Sequence, residues 1–424
     1  MRDFATVLLG RTGCVAASGW VLRVRVIAAC LAVSVILAPT GLAVAAYTVV
    51  SEHGLSSNRV NIVFLGDGYT AGQIETDYVS HVNTILAHMF GGTEDPFGRY
   101  ANFFNIYRVN VVSNESGADV APLGISRDTA LDASYYWDGS TERLLFVDPN
   151  KAAGVRNAAL SGSGIWPHIN LVTVNDTRYG GGADGTFAVC AGGNIYSGEL
   201  ALHEMGHSFS GLADEYDDTN SGAVSVYSGP EPAEVNVTKD PNGAKWSRWL
   251  GYDQGGSLGA VGAYEGARYY DQGLYRSSTT SKMRQLGQPF NAVSREKIIL
   301  DIYNVVHPID SYITGPQEEE LLTDPQNLWV DVVDPDVISV SWYVNGKIVA
   351  GADDEQFNMA DFGYGPGNYS VKVRAYDATD WVRSGLTSLE QEQFMEWEVV
   401  LTPEPASAAI LLCGAAVILW KRRR

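Results

Sequence analysis

The chain carries two hydrophobic rhythms before it changes character. From Arg59 to Gly66 the residues RVNIVFLG form a short apolar run between turn formers, which predicts a strand buried on both faces. From Ala71 the apolar positions are Ile74, Tyr78, Val82, Ile85, Leu86 and Met89, a single stripe when wound as a helix. Thr70 stands where such a helix would be capped, and Gly91-Gly92 where it would end. FNIYRVNVV (Phe104 to Val112) and INLVTV (Ile169 to Val174) predict two further strands. Strands alternating with helices imply an α/β sheet with some parallel pairing.

The next stretch, 179–198, reads YGGGADGTFAVCAGGNIYSG. Its glycines remove side chains and let another backbone approach, as at a sheet edge beside a cleft where a peptide adds as a strand. Past Pro308 the period shortens to two: LWVDVV, VISVSWYV, NYSVKVRAYD and FMEWEVVL, with the turn pair Asn345-Gly346 after SWYV. Several short strands across residues 309–401 predict an immunoglobulin-like β-sandwich, with Trp342 in the position of a buried strand tryptophan.

The two ends have patterns of their own. Residues 1–46 place arginines ahead of an apolar run, Val26 to Leu37, and then small residues before Tyr47, the order of an export signal. Residues 402–424 place Pro403-Glu404-Pro405 before an apolar stretch and end in Lys421-Arg422-Arg423-Arg424. That tail resembles the PEP-CTERM sorting signal, which implies an exosortase-type processing enzyme as partner and a cell-envelope or extracellular location. Membrane contact is expected only through these terminal segments. Cys190 alone stands between them, so no disulfide is available within residues 47–401.

The formal charge of −20, from 29 Lys and Arg against 49 Asp and Glu, argues against nucleic acid as a partner, because phosphate contacts need basic clusters. An acidic surface leaves room for calcium, with Asp217 and Asp218 as candidates.

The chemistry concentrates in SGELALHEMGHSFSGLADEY, residues 197–216. Leu200, Ala201, Met205, Phe209 and Leu212 give it an apolar face. Four residues advance a helix by little over a turn, so His203 and His207 project from one side and can share one ion. Neutral imidazole suits zinc. Glu204, beside the first ligand, is placed to act on water as a general base and to return the proton to a leaving amine. Catalytic zinc takes three protein ligands, so the helix is expected to break at Gly211 and bring back Asp214, with Glu215 as the competing candidate.

At this point the sequence resembles the IgA-peptidase family of zinc metallopeptidases, metzincin-like in architecture. Four segments carry the resemblance: NIVFLGDGYTAGQ from 61, FFNIYRVNVVSNESGAD from 103, ELALHEMGHSFSGLADEY from 199, and GAYEGARYYDQGLYRSSTTSKMRQLGQPFNAVSRE from 262. It implies an endopeptidase with zinc on His203, His207 and a downstream acid, Glu204 as base, and Met283 in a turn beneath the metal. Ala213 stands where the usual metzincin has its third histidine, and Ser281, Asn291 and Ser294 stand where some relatives have cysteines. Tyr216, Tyr275 and Arg284 are the candidates for holding a tetrahedral oxyanion.

The expected organisation is therefore an export signal (1–46), an α/β metzincin-like zinc peptidase domain (47–308), an immunoglobulin-like β-sandwich (309–401) and a sorting segment (402–424). The expected function is hydrolysis of peptide bonds in extracellular proteins or peptides. The other class left open is a non-catalytic envelope protein with a structural metal site and a binding β-domain.

Overall fold

The computed structural model describes residues 46–217, 224–315, 320–325, 327–383 and 391–403. Residues 1–45 of the export signal, most of the sorting segment and Asp218 lie outside them. Among the described residues, no helix is long and apolar enough to cross a membrane.

The first half is a six-stranded sheet with helices on both faces. Its strands are β1 (Tyr47–Ser51), β2 (Val60–Asp67), β3 (Phe104–Val109), β4 (Ile169–Val174), β5 (Gly181–Ala183) and β6 (Phe187–Ala191), in the order β1-β3-β2-β4-β6-β5. The four central strands β3, β2, β4 and β6 run parallel, and the two outer ones pair antiparallel. Every residue of β2 and β4 is buried, because both faces are covered. Ile62 and Phe64 face the core that holds α1 (Asp77–Phe90) and α3 (Ser197–Ser208). Val63 and Leu65 face the core that holds α2 (Pro149–Ala159).

The helix expected from Ala71 starts later. Residues 71–76 wind as turns, with the Gln73 and Ile74 amides donating to the Thr70 carbonyl. Thr70 therefore does not cap α1; the first helical residue is Asp77. The stripe Tyr78, Val82, Ile85 and Met89 is buried as expected, each worth up to about 1.5–3 kcal/mol of transfer free energy. Gly91 ends the helix. The strand expected from Phe104 to Val112 stops at Val109.

After α3 the chain forms a small sheet of β7 (Val237–Thr238), β8 (Tyr264–Ala267) and β9 (Tyr270–Arg276), then α4 (Ala292–Tyr303). From Ile309 the described residues form one short 3-10 helix, Met359–Phe362, and two sheets. One contains β10 (Ile309–Tyr312), β12 (Leu328–Val332) and β15 (Gln356–Phe357). The other contains β11 (Leu321–Thr323), β13 (Ile338–Val344), β14 (Lys347–Ile348), β16 (Gly367–Asp377) and β17 (Glu392–Leu401). Asn345 (φ 50°) and Gly346 (φ 74°) make the tight turn between β13 and β14, both left-handed as such a hairpin requires. Trp342 is fully buried, stacked on Phe357 of the opposite sheet at 5.2 Å and on Trp397 at 5.8 Å, and its indole N–H donates to the Asp354 carbonyl.

Charged contacts tie these strands to the first half. Arg59 pairs with Asp310. Asp377 accepts from Arg99 at 3.0 Å and from the hydroxyls of Tyr100 and Tyr303 at 2.5 and 2.8 Å.

Candidate metal centre and cleft

The sequence of α3 sets up the site through its ending. Gly211 takes φ +58°, its amide donates to the His207 carbonyl, and the Leu212 amide donates to the Gly206 carbonyl. The first bond, from a left-handed residue to the carbonyl four residues earlier, is an αL cap, which favours a glycine. The cap turns the chain back toward the helix. The Leu212 carbonyl then meets His207 Nδ1 at 2.6 Å, and Asp214 arrives beside both imidazoles.

Three donor atoms converge. His203 Nε2 and His207 Nε2 stand 3.3 Å apart, and Asp214 Oδ1 lies 3.1 and 3.3 Å from them. Ligands held tetrahedrally at zinc distances stand roughly 3.3 Å from one another, so this triangle has the right size. Each ring is oriented through its other nitrogen. His203 Nδ1 bonds the Lys282 carbonyl at 2.9 Å, as His207 Nδ1 bonds Leu212, which leaves both Nε2 atoms for an ion. Asp214 Oδ1 is buried and has no hydrogen-bond partner, while Oδ2 accepts from the Tyr269 hydroxyl. An orphaned carboxylate oxygen aimed at two imidazoles is the arrangement a divalent cation completes.

Electrostatics agree with that geometry. Burial alone would raise the Asp214 carboxyl, but the two imidazoles outweigh it and hold it well below the usual carboxylate range. Burial likewise opposes charge on His207, yet Asp214 and Glu204 raise it to about 9.

Glu215 is the wrong way round for a ligand. It is fully buried, and its carboxylate accepts from Ser281 (2.7 Å), Asn236 (3.0 Å) and Asn291 (2.9 and 3.1 Å). Ser281 and Asn291, noted in the sequence as replacing cysteines, are the cradle that holds it. Ser294 donates its amide to Asn291 Oδ1 and fixes that cradle at the start of α4.

Glu204 lies within 4.8 Å of the two imidazole nitrogens through one oxygen. It is 7% exposed, and burial outweighs the opposing histidines and pushes its carboxyl up. The strand β5 passes directly over it: a Cβ on Gly181 would stand 3.0 Å from Glu204 Oε1. Met283 is fully buried under α3, where a Cβ on Gly206 would come within 2.7 Å of its sulfur, and its carbonyl accepts from the Glu215 amide.

A cavity of about 570 Å³ opens beside these groups, lined by Arg143, Tyr179, Gly181, His203, Glu204 and Tyr216 among others. Of the three oxyanion candidates, Tyr216 and Arg284 line it. Tyr275 does not: it lies on β9, paired across to Glu265 and Thr238. Two residues not singled out from the sequence also line it, Arg143 and Tyr269. Arg143 Nη2 donates to the Tyr216 hydroxyl at 3.1 Å, Tyr216 donates to Tyr269 at 3.1 Å, and Tyr269 donates to Asp214. The free sheet edge expected in the glycine-rich stretch is partly taken. At Gly181 the amide donates to the Arg143 carbonyl (3.1 Å) and the carbonyl accepts from Leu145 (3.3 Å). Asp217, a calcium candidate, instead faces Arg284 at 3.3 Å.

A second cluster lies at the start of α3. His88 Nε2 is 3.3 Å from Glu94 Oε1 and 3.1 Å from Glu199 Oε1, and Lys282 Nζ reaches the other oxygens at 3.0 and 2.5 Å.

Residues 49–255 match the family model for IgA Peptidase M64. The match supports the IgA-peptidase family and points to a peptidase. It includes α3 and Asp214 and stops short of Met283. A comparison with curated proteins finds no match. Among solved structures, the SGBP-B protein of the Bacteroides ovatus mixed-linkage glucan utilization locus, in complex with a mixed-linkage heptasaccharide, aligns over 20% of this chain and 20% of its own at 18% identity. Its TM-score of 0.15 carries no argument.

Proposed function

We propose that the chain is an exported zinc endopeptidase that hydrolyses extracellular proteins or peptides, with His203, His207 and Asp214 as metal ligands and Glu204 as general base. The observation that carries this reading is the unpartnered Asp214 Oδ1 facing two imidazoles whose other nitrogens are tied to backbone carbonyls. When bound there, zinc supplies Lewis acidity toward a carbonyl and acidifies water.

The chain's own groups do the rest. Glu204 takes a proton from the attacking water and delivers it to the leaving amine, and its raised pKa suits both directions of transfer. Gly181 lets β5 pass close enough to shield this carboxyl from bulk water. Tyr269 holds Asp214 by its second oxygen, so the first keeps its aim. Tyr216 and Arg284, which both line the cavity, are the remaining oxyanion candidates. The cavity beside His203 and Glu204 favours catalysis over a purely structural ion, which needs no open face and no base.

In this reading the first half is a metzincin-like catalytic domain with Met283 beneath its metal, and residues 309–401 form an immunoglobulin-like sandwich docked on it. The terminal segments supply export and exosortase-type processing at the envelope. The test is cleavage of casein by purified, zinc-loaded protein. A chelator should stop it, and Glu204→Gln should keep its zinc while turnover drops by at least about 100-fold. A Glu204→Gln protein that digests casein at the parent's rate would refute the mechanism.

A further inference from the structure

Three guanidinium groups stand in or beside the catalytic cavity, and two are neutralised by the protein itself. Arg178 meets Glu142 at 2.8 Å, and Arg284 meets Asp217 at 3.3 Å and the Glu215 carbonyl at 2.9 Å. Arg143 is different. Its one side-chain hydrogen bond goes to a neutral group, the Tyr216 hydroxyl, and among the described residues no carboxylate pairs with it. In a chain with 49 acidic residues against 29 basic ones, a cleft cation that forms no ion pair among the described residues is a feature of the site rather than of the composition.

The guanidinium is also held in a fixed relation to the chemistry. The Arg143 carbonyl accepts the Gly181 amide, and Leu145 donates to the Gly181 carbonyl, so the backbone on both sides of Arg143 is pinned to β5. That same Gly181 lies against Glu204. Four tyrosines, Tyr179, Tyr196, Tyr216 and Tyr269, supply contact surface around the cavity; of the two carboxylates that line it, Asp217 is met by Arg284 and Glu204 lies against Gly181 beside the imidazoles. A planar guanidinium with free N–H groups in that setting matches a carboxylate in both charge and shape.

We propose that Arg143 anchors a carboxylate of the substrate, so that the enzyme prefers peptides carrying an acidic group near the scissile bond. This rests on the peptidase reading and adds the substrate class to it. The carboxylate has two possible sources, an Asp or Glu side chain or the free C-terminus of a short peptide, and the experiment has an arm for each.

Cleavage sites of the zinc-loaded enzyme are mapped on a random peptide library by mass spectrometry. The favoured sequence is then made in three forms: with its acidic residue, with the Glu→Gln or Asp→Asn isostere, and with an amidated C-terminus. Binding of each form to the zinc-loaded Glu204→Gln protein is measured by calorimetry, which reads recognition without turnover. The acidic form should bind at least about fivefold more tightly than its neutral counterpart. That ratio should collapse to about one when Arg143→Gln is added. In Arg143→Glu the preference should invert toward Lys at the same position, a result that loss of folding or a purely structural role does not produce. If the difference tracks amidation alone, the anchor reads a C-terminus; if it tracks the side chain, it reads Asp or Glu. Equal binding of all three forms, or an acid preference that survives Arg143→Gln, overturns the proposal. An equal fall in turnover on acidic and neutral peptides in Arg143→Gln also overturns it and makes Arg143 an oxyanion group instead. Failure of the parent protein to cleave the library at all counts against the peptidase reading, while the calorimetric comparison on a synthetic Glu/Gln pair still decides the anchor.

Discussion

Two clusters of histidine and acid lie along α3, one at its start around Glu199 and one at His203 and His207, and they differ in one group. Around His203 and His207, Asp214 turns an unpartnered oxygen toward both rings. Around His88, the carboxylates of Glu94 and Glu199 already hold a cation, the fully buried ammonium of Lys282. The first cluster presents an unpartnered carboxylate oxygen; in the second an ammonium meets both carboxylates. Residue types and spacing are thus insufficient to tell a metal centre from a structural ion network. The difference lies in whether the protein has filled the charge itself. The clusters are also coupled, because the Lys282 backbone carbonyl orients His203 while its side chain binds the acids.

Removing that ammonium should have the largest effect on the comparison. Lys282→Met leaves the buried Glu94 and part-buried Glu199 carboxylates without their ammonium and should cost about 3–5 kcal/mol in chemical denaturation. If charge compensation is what separates the clusters, the variant should also take up a second equivalent of zinc at His88, Glu94 and Glu199, read by metal analysis. Next in size is Asp214→Asn, which keeps the shape and removes the charge. Zinc affinity should fall by more than about 100-fold, beyond the loss expected from an outer partner. Tyr269→Phe removes only the hydroxyl that steadies Asp214, so a weakening of about 10-fold in a competition titration is expected. The smallest effect is a matter of pH. Glu204 must be ionised to accept a proton, and its folded pKa is raised above the ordinary 4.5, so base function is lost as pH falls through that raised value. The acid limb of kcat/KM should therefore have its midpoint above 4.5, and Glu204→Asp, a shorter and differently buried acid, should move it.

The sequence was most legible where burial is simplest. β2 and β4 lie where their unbroken apolar runs predict, because both of their faces are covered. The alternating runs after Pro308 became β12, β13, β16 and β17, since each has one buried face. The start of α1 was misjudged because Ile74 continues the apolar stripe and is buried, yet it sits in turns pinned by the Thr70 carbonyl. The closeness of His203, Glu204 and His207 was readable from a local spacing, and so was the break of the helix near Gly211. The choice between Asp214 and Glu215 was not, because it depends on Asn236, Ser281 and Asn291 arriving from distant parts of the chain. Arg143 and Tyr269 carry no local pattern; only the fold brings them to the cleft.

The central claim is that one zinc ion sits among His203, His207 and Asp214, and not in the cluster already occupied by Lys282. Anomalous diffraction at the zinc edge from zinc-loaded crystals tests it directly. The account predicts one strong peak within about 2.0–2.2 Å of both Nε2 atoms and of Asp214 Oδ1. A peak at His88, Glu94 and Glu199 instead, or none between the two imidazoles of α3 in fully loaded protein, would contradict it.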